Sequence, residues 1–166
     1  MIAQLETLKE VVFESDTGGG GGFWAGDNLL ATLTVRGTIR RQGRLSIRDD
    51  NRAFDLLSMV NGSRHICQML EGTHRVGRAE WATGGETPLI AQLDYRGSVY
   101  ALERMGLFAA ETQSQPVVAF APWPDLQRIF GAWNPRQSTL RVTDRVDLPL
   151  IAFYVFAAYD LRSNVV

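Results

Sequence analysis

Residues 148–159 read Leu-Pro-Leu-Ile-Ala-Phe-Tyr-Val-Phe-Ala-Ala-Tyr, with no charge until Asp160. This stretch decides the fold. It is apolar on every side of a helical wheel, and such a helix must be buried all round. A bilayer span needs about 20 residues, whereas a run of about 10–14 has the length of a core helix. Asp144 or Asp147 can cap its start, and Pro149 is tolerated in a first turn, where its missing N–H is not needed. The sequence therefore predicts a buried C-terminal helix over residues 147–162.

Upstream of this run the periodicity is that of strands. Leu33, Val35, Ile39, Leu45 and Ile47 alternate with Thr34, Arg36, Thr38, Arg40, Gln42, Arg44, Ser46 and Arg48. Strict alternation describes strands with one buried face. A three-residue turn at Arg41-Gln42-Gly43 preserves that parity, and it sets Arg40 opposite Arg44 and Arg36 opposite Arg48. Asn61-Gly62 and Tyr95-Arg96-Gly97 read as further hairpin turns. Residues 8–15, 73–82 and 139–143 read as strands, as does the apolar run Val117–Ala121, which suits burial on both faces. Leu126 to Trp133 is ambiguous between strand and helix. The glycine run Gly18–Gly22 reads as a flexible loop. About twelve short strands followed by one apolar helix predict a mainly β fold. A closed barrel or sandwich, folded as a single domain over residues 1–166, wraps the helix.

The chain has 166 residues, 45% of them hydrophobic, and a net charge of −1. That is enough to bury one core, and it gives no general attraction for nucleic acid. The charge is uneven: nine of the arginines fall between residues 28 and 78, after an acidic start. Lys9 is the only lysine. The single cysteine, Cys67, excludes an intrachain disulfide. Acids occupy the N-terminal positions where a signal peptide needs an apolar core, so a cytoplasmic location is expected, with peripheral membrane contact in the binding reading below.

The layout resembles the tubby C-terminal-like superfamily, which includes phospholipid scramblases and LURP-one-related proteins. Two stretches carry the resemblance. Leu140-Arg141-Val142-Thr143-Asp144-Arg145-Val146-Asp147-Leu148-Pro149-Leu150-Ile151-Ala152-Phe153 is similar to a last strand entering a central helix. Tyr95-Arg96-Gly97-Ser98-Val99-Tyr100-Ala101-Leu102 is similar to an internal hairpin. The resemblance implies a twelve-stranded barrel around its helix, and binding of membrane phospholipid or phosphoinositide headgroups without covalent chemistry. It carries over no functional residue, because neither a scramblase-type calcium loop nor a cysteine-rich acylation segment is present.

Arg36, Arg40, Arg44 and Arg48 share one parity and so one face, and guanidinium groups suit phosphate. They are the expected ligand-binding residues for an anionic headgroup. The plain alternative is internal pairing with Glu10, Glu14 and Asp16 of the first strand, since opposed like charges destabilise a sheet. Nucleic acid is not expected, for no aromatic residue lies between Trp24 and Phe54 to stack on bases. Asp16-Thr17-Gly18 matches half of an aspartic-protease signature, but catalysis needs two such carboxylates. His65, Cys67 and His74 are a ligand short of a structural zinc site, so no metal is expected and Cys67 reads as core. The glycine run lacks the Gly-Lys-Ser/Thr of a phosphate loop, and no cofactor motif appears. Trp123, between two prolines, is a candidate interface residue.

The sequence therefore favours a non-enzymatic domain that binds anionic phospholipid headgroups through its arginine face. A protein-interaction module without a small ligand is the alternative, and a hydrolase is the third reading.

Overall fold

The computed structural model describes residues 9–15, 20–37, 40–83, 90–103, 106–110, 115–120, 137–143 and 145–163. Among these, β1 (Lys9–Ser15), β2 (Gly21–Ala25), β3 (Asn28–Arg36), β4 (Arg41–Ile47), β5 (Ala53–Asn61) and β6 (Arg64–Glu71) follow one another round a sheet. It continues through β7 (His74–Ala82), β8 (Ile90–Tyr95), β9 (Ser98–Glu103), β10 (Gly106–Ala109), β11 (Val118–Phe120) and β12 (Gln137–Val142). Every adjacent pair is antiparallel, and β12 closes on β1, with Val11 opposite Leu140. Closure removes the unpaired edges on which a sheet of this size would otherwise aggregate. The helix α1 (Leu148–Ser163) fills the lumen.

A barrel of this many strands is too wide for its own side chains to fill. The apolar helix supplies the missing core. Phe153, Tyr154 and Phe156 are fully buried against Phe23, Phe54, Leu33, Leu45, Met69 and Leu93 from the strands. Two inward glycines make room for its rings. A Cβ at Gly77 would stand 2.7 Å from the Phe153 ring, and one at Gly43 would stand 3.3 Å from Phe156. At the start of α1 the Asp147 carboxylate accepts the Leu150 N–H at 3.0 Å, a helix cap. The Tyr95 hydroxyl also donates to that carboxylate, at 2.9 Å.

The predicted alternation holds, but three local readings are corrected. First, Arg41, Gln42 and Gly43 are strand residues of β4 and not a turn, since β3 runs to Arg36 and Arg36 pairs with Gln42. Gly37 takes a φ of 89°, and a Cβ there would collide with the Arg40 carbonyl, so the turn belongs to Gly37. Second, Gly21 and Gly22 are strand residues of β2. Added Cβ atoms would come within 2.3 Å of the Leu33 carbonyl at Gly20 and 2.1 Å of the Glu14 carbonyl at Gly21. These glycines permit close backbone approach. Third, one hairpin turn is shifted by a residue and another is tighter than expected. Gly62-Ser63 is closed by Asn61 opposite Arg64, and Arg96-Gly97 by Tyr95 opposite Ser98. In the second, both residues have positive φ, 48° and 85°, the type I′ geometry that matches strand twist.

Leu126 to Trp133, Trp123 and Asp16 lie outside the described residues. Among the described residues no helix is long and apolar enough to cross a membrane. Outward positions such as Thr32, Thr34, Arg44 and Asp55 are exposed and polar, and most apolar residues face the lumen, with Val60, Val99 and Tyr159 the large exposed exceptions among the described residues.

Candidate functional site

α1 gives the barrel two chemically different ends. At the upper end, beside its C-terminal turn, five side chains meet below the rim. Arg41 opens β4, Ser58 lies opposite it on β5, His65 and Cys67 face inward from β6, and Asp160 comes from α1. All five are buried. An acid in the last turns of a helix faces the negative end of the helix dipole and needs compensation. Arg41 Nη1 supplies it with a 2.6 Å ion pair to Asp160 Oδ1. The Ser58 hydroxyl donates to Asp160 Oδ2 at 2.5 Å and lies 2.7 Å from His65 Nε2. The guanidinium carbon also lies over the Phe156 and Tyr159 rings, 4.6 and 4.3 Å from their centroids. Trp81 stacks on the His65 ring at 4.5 Å. Burial raises the Asp160 pKa, but hydrogen bonding from His65 and Ser58 and the charge of Arg41 outweigh it and hold the carboxyl below its ordinary value.

This cluster was not anticipated, yet one signal was present. Arg41 has the odd parity of the core positions Leu33, Val35 and Leu45, so the alternation itself sends it inward. Ser58 and His65 likewise occupy core parity on their strands.

The cluster resembles two kinds of chemistry and fits neither. In a Ser-His-Asp triad the carboxylate binds the ring nitrogen away from the serine. Here Asp160 and Ser58 both approach Nε2, at 3.6 and 2.7 Å, and Ser58 lies between acid and imidazole. His65, Cys67 and Asp160 offer ligand atoms within 4.8 Å of one another. Asp160 replaces the His74 of the sequence reading, which sits at the far end of β6–β7. Arg41 already holds the Asp160 carboxylate as its cation, which leaves His65 and Cys67 short of a metal ligand set. The expectation that Cys67 is core holds.

Arg36, Arg40, Arg44 and Arg48 are all exposed, on the outside of the barrel. Arg40 and Arg48 flank β4, roughly 25 Å apart at about 3.3 Å per residue. Arg44 stands opposite Thr34 and Asp55, not opposite Arg40, and pairs with Asp55 at 2.9 Å. Arg36, Arg40 and Arg48 have no ion-pair partner among the described residues. The acids expected to pair with the row are elsewhere. Glu10 lies opposite Arg141 and Glu14 opposite Gly22, with β2 between β1 and β3. Arg36 and Arg40 stand at the upper rim. Val60, 51% exposed, and Tyr159, 50% exposed, are at the same end.

The lower end carries a polar network around the start of α1. Arg52 grips Glu71 through Nε at 2.9 Å and Nη2 at 3.2 Å, and Arg96 approaches the same carboxylate at 3.8 Å. Arg96 Nε donates to the Tyr95 hydroxyl at 3.0 Å. Burial, with Asp147 beside it, pushes the Tyr95 phenol up to about 12. Next to this network an open cleft of 570 Å³ is lined by His74, Arg75, Arg78, Asp94 and Arg96.

Comparison with protein-family models, with curated proteins and with solved structures finds no match for this chain.

Proposed function

We propose that this barrel is a non-enzymatic binder of anionic phospholipid headgroups, and that its upper end is the membrane-facing one. One observation carries the reading: Arg36 and Arg40, without acidic partners among the described residues, share a rim with the half-exposed Val60 and Tyr159. Cations beside an aromatic and an apolar side chain suit a membrane interface, where headgroup charge and acyl boundary meet. Tyr159 also covers Arg41, which follows Arg40 in the chain. Each arginine near an anionic surface contributes about 1 kcal/mol, so this pair contributes about 2 kcal/mol, or about 30-fold in partitioning. Arg44, already paired with Asp55, adds little.

The test is vesicle co-sedimentation with phosphatidylserine and phosphatidylcholine. Binding should require phosphatidylserine and weaken with salt. Arg36→Gln with Arg40→Gln should weaken it about 30-fold, while Arg44→Gln should leave it nearly unchanged. Equal binding to neutral vesicles, or no loss in the double variant, overturns the proposal.

A further inference from the structure

The second arginine cluster lies at the other end of the molecule, and the chain goes to some length to build it. β6 and β7 pair with Met69 opposite Gly77 and Leu70 opposite Arg75, so Val76 is the extra residue of a β-bulge. Val76 and Gly77 are consecutive, and both are buried. Without the bulge Arg75 would share the inward parity of Gly77 and Ala79. The inserted residue turns it out to solvent, as bulges do where a side chain must be re-aimed. Arg75 is exposed and has no partner among the described residues.

Its neighbours are held in place. The backbone N–H of Arg96 donates to the Val76 carbonyl at 2.9 Å, docking the β8–β9 turn onto the bulge. Arg96 adopts a φ of 48°, a left-handed conformation that a side-chain-bearing residue takes at a cost. Arg78 binds Glu80 through Nη2 at 2.7 Å, but its Nε is buried without a hydrogen-bond partner among the described residues. Three arginines, Arg75, Arg78 and Arg96, and one acid, Asp94, line the cleft of 570 Å³. Arg78 is engaged by Glu80 and Arg96 by Tyr95 and Glu71, so Arg75 is the cation left for a ligand.

We infer that this cleft is a binding site for a small phosphorylated molecule, distinct from the membrane contact proposed above and independent of it. The guanidinium groups suit the tetrahedral dianion of a phosphate monoester. The volume exceeds what a bare phosphate fills, and its lining also includes His74, Val76, Gly77 and Gly97. Among the described residues no Phe, Tyr or Trp ring lines it, and the only ring there is the small imidazole of His74, so a sugar phosphate suits it better than a nucleotide, whose base seeks a broad stacking partner.

The experiment is calorimetric and NMR titration of the full chain with inorganic phosphate, glucose 6-phosphate and AMP, each to about 10 mM, the weak limit of specific binding. The expected result is saturable binding of glucose 6-phosphate, tighter than phosphate or AMP, with amide shifts at residues 74–78 and 94–97. Arg75→Gln removes an exposed, unpaired side chain, so it should leave the melting temperature unchanged and weaken binding at least tenfold. Arg36→Gln with Arg40→Gln should leave this binding intact even if vesicle binding is lost, which separates the two proposals. Absence of saturable binding overturns the inference, as does binding that Arg75→Gln does not weaken. A dependence on Arg75 seen only with phosphatidylserine vesicles, and not with soluble phosphates, would assign the cleft to the membrane and overturn it too.

Discussion

Cys67 and Gly77 show how closely single positions are held. Cys67 is fully buried, and burial pushes its thiol well up, so it is neither accessible nor a thiolate. A maleimide should leave the native protein unlabelled and modify it stoichiometrically in denaturant. Rapid labelling of the native state would mean that β6 opens or that the thiol is activated. Gly77 has no strain in its backbone, but a methyl group there meets the Phe153 ring at 2.7 Å. Gly77→Ala should cost about 1–3 kcal/mol by overpacking, read as a lower urea midpoint at constant slope. An unchanged midpoint would show that Phe153 has room to move. His65 and Cys67 were legible as sharing one strand face. Their partner Asp160 was not, because it comes from a helix 93 residues beyond Cys67.

At the scale of elements, α1 and the glycine run make opposite demands. α1 is buried over its apolar stretch except half-buried Leu148 and exposed Tyr159. Phe156→Asp puts a charge into a site already occupied by the Arg41 guanidinium and surrounding apolar side chains. It should abolish soluble folding; soluble protein with the parental melting temperature would refute the central-helix packing. Gly21 sits where β1, β2 and β3 approach, and its Cβ would enter the Glu14 carbonyl. Backbone cannot swing aside as a side chain can. Gly21→Ala should therefore destabilise by about 1–3 kcal/mol. A flexible glycine loop would predict no loss or a gain, because alanine reduces the freedom of the unfolded chain. Composition alone suggested the loop. The strand became visible only once its neighbours on both sides were in place.

For the whole molecule, the upper cluster joins α1 to three strands, so its ionisation is a term in global stability. The Asp160 pKa is lowered in the folded state. A depressed carboxylate contributes stability that is complete above its unfolded value, about 3.9, and is lost as pH falls through the folded one. The parent should therefore lose stability below about pH 4. Asp160→Asn strands the buried Arg41 and should cost about 3–5 kcal/mol at pH 7. Its stability should also fall less steeply between pH 5 and pH 3 than the parent's, as followed by urea denaturation. An equal slope in both proteins would remove Asp160 from the acid response. The cluster is a clamp on the end of the helix by this account, and the exposed arginine chemistry lies outside it.

The sequence by itself determined the architecture. A two-residue period forces one face of each strand inward, and an apolar run too short for a bilayer has nowhere to go but the lumen. It also determined that Arg36, Arg40, Arg44 and Arg48 face outward, since parity is a local property. It even carried the inward parity of Arg41. Only the tertiary structure decided which charges meet. Arg44 found Asp55 and not Glu10 or Glu14, because sheet order puts β5 beside β4 and two strands between β4 and β1. Arg41 found Asp160, and a single bulge residue turned Arg75 outward into a cleft. Pairing depends on register and closure, which are set by the packing of the whole barrel around its helix and are written in no local stretch of the chain.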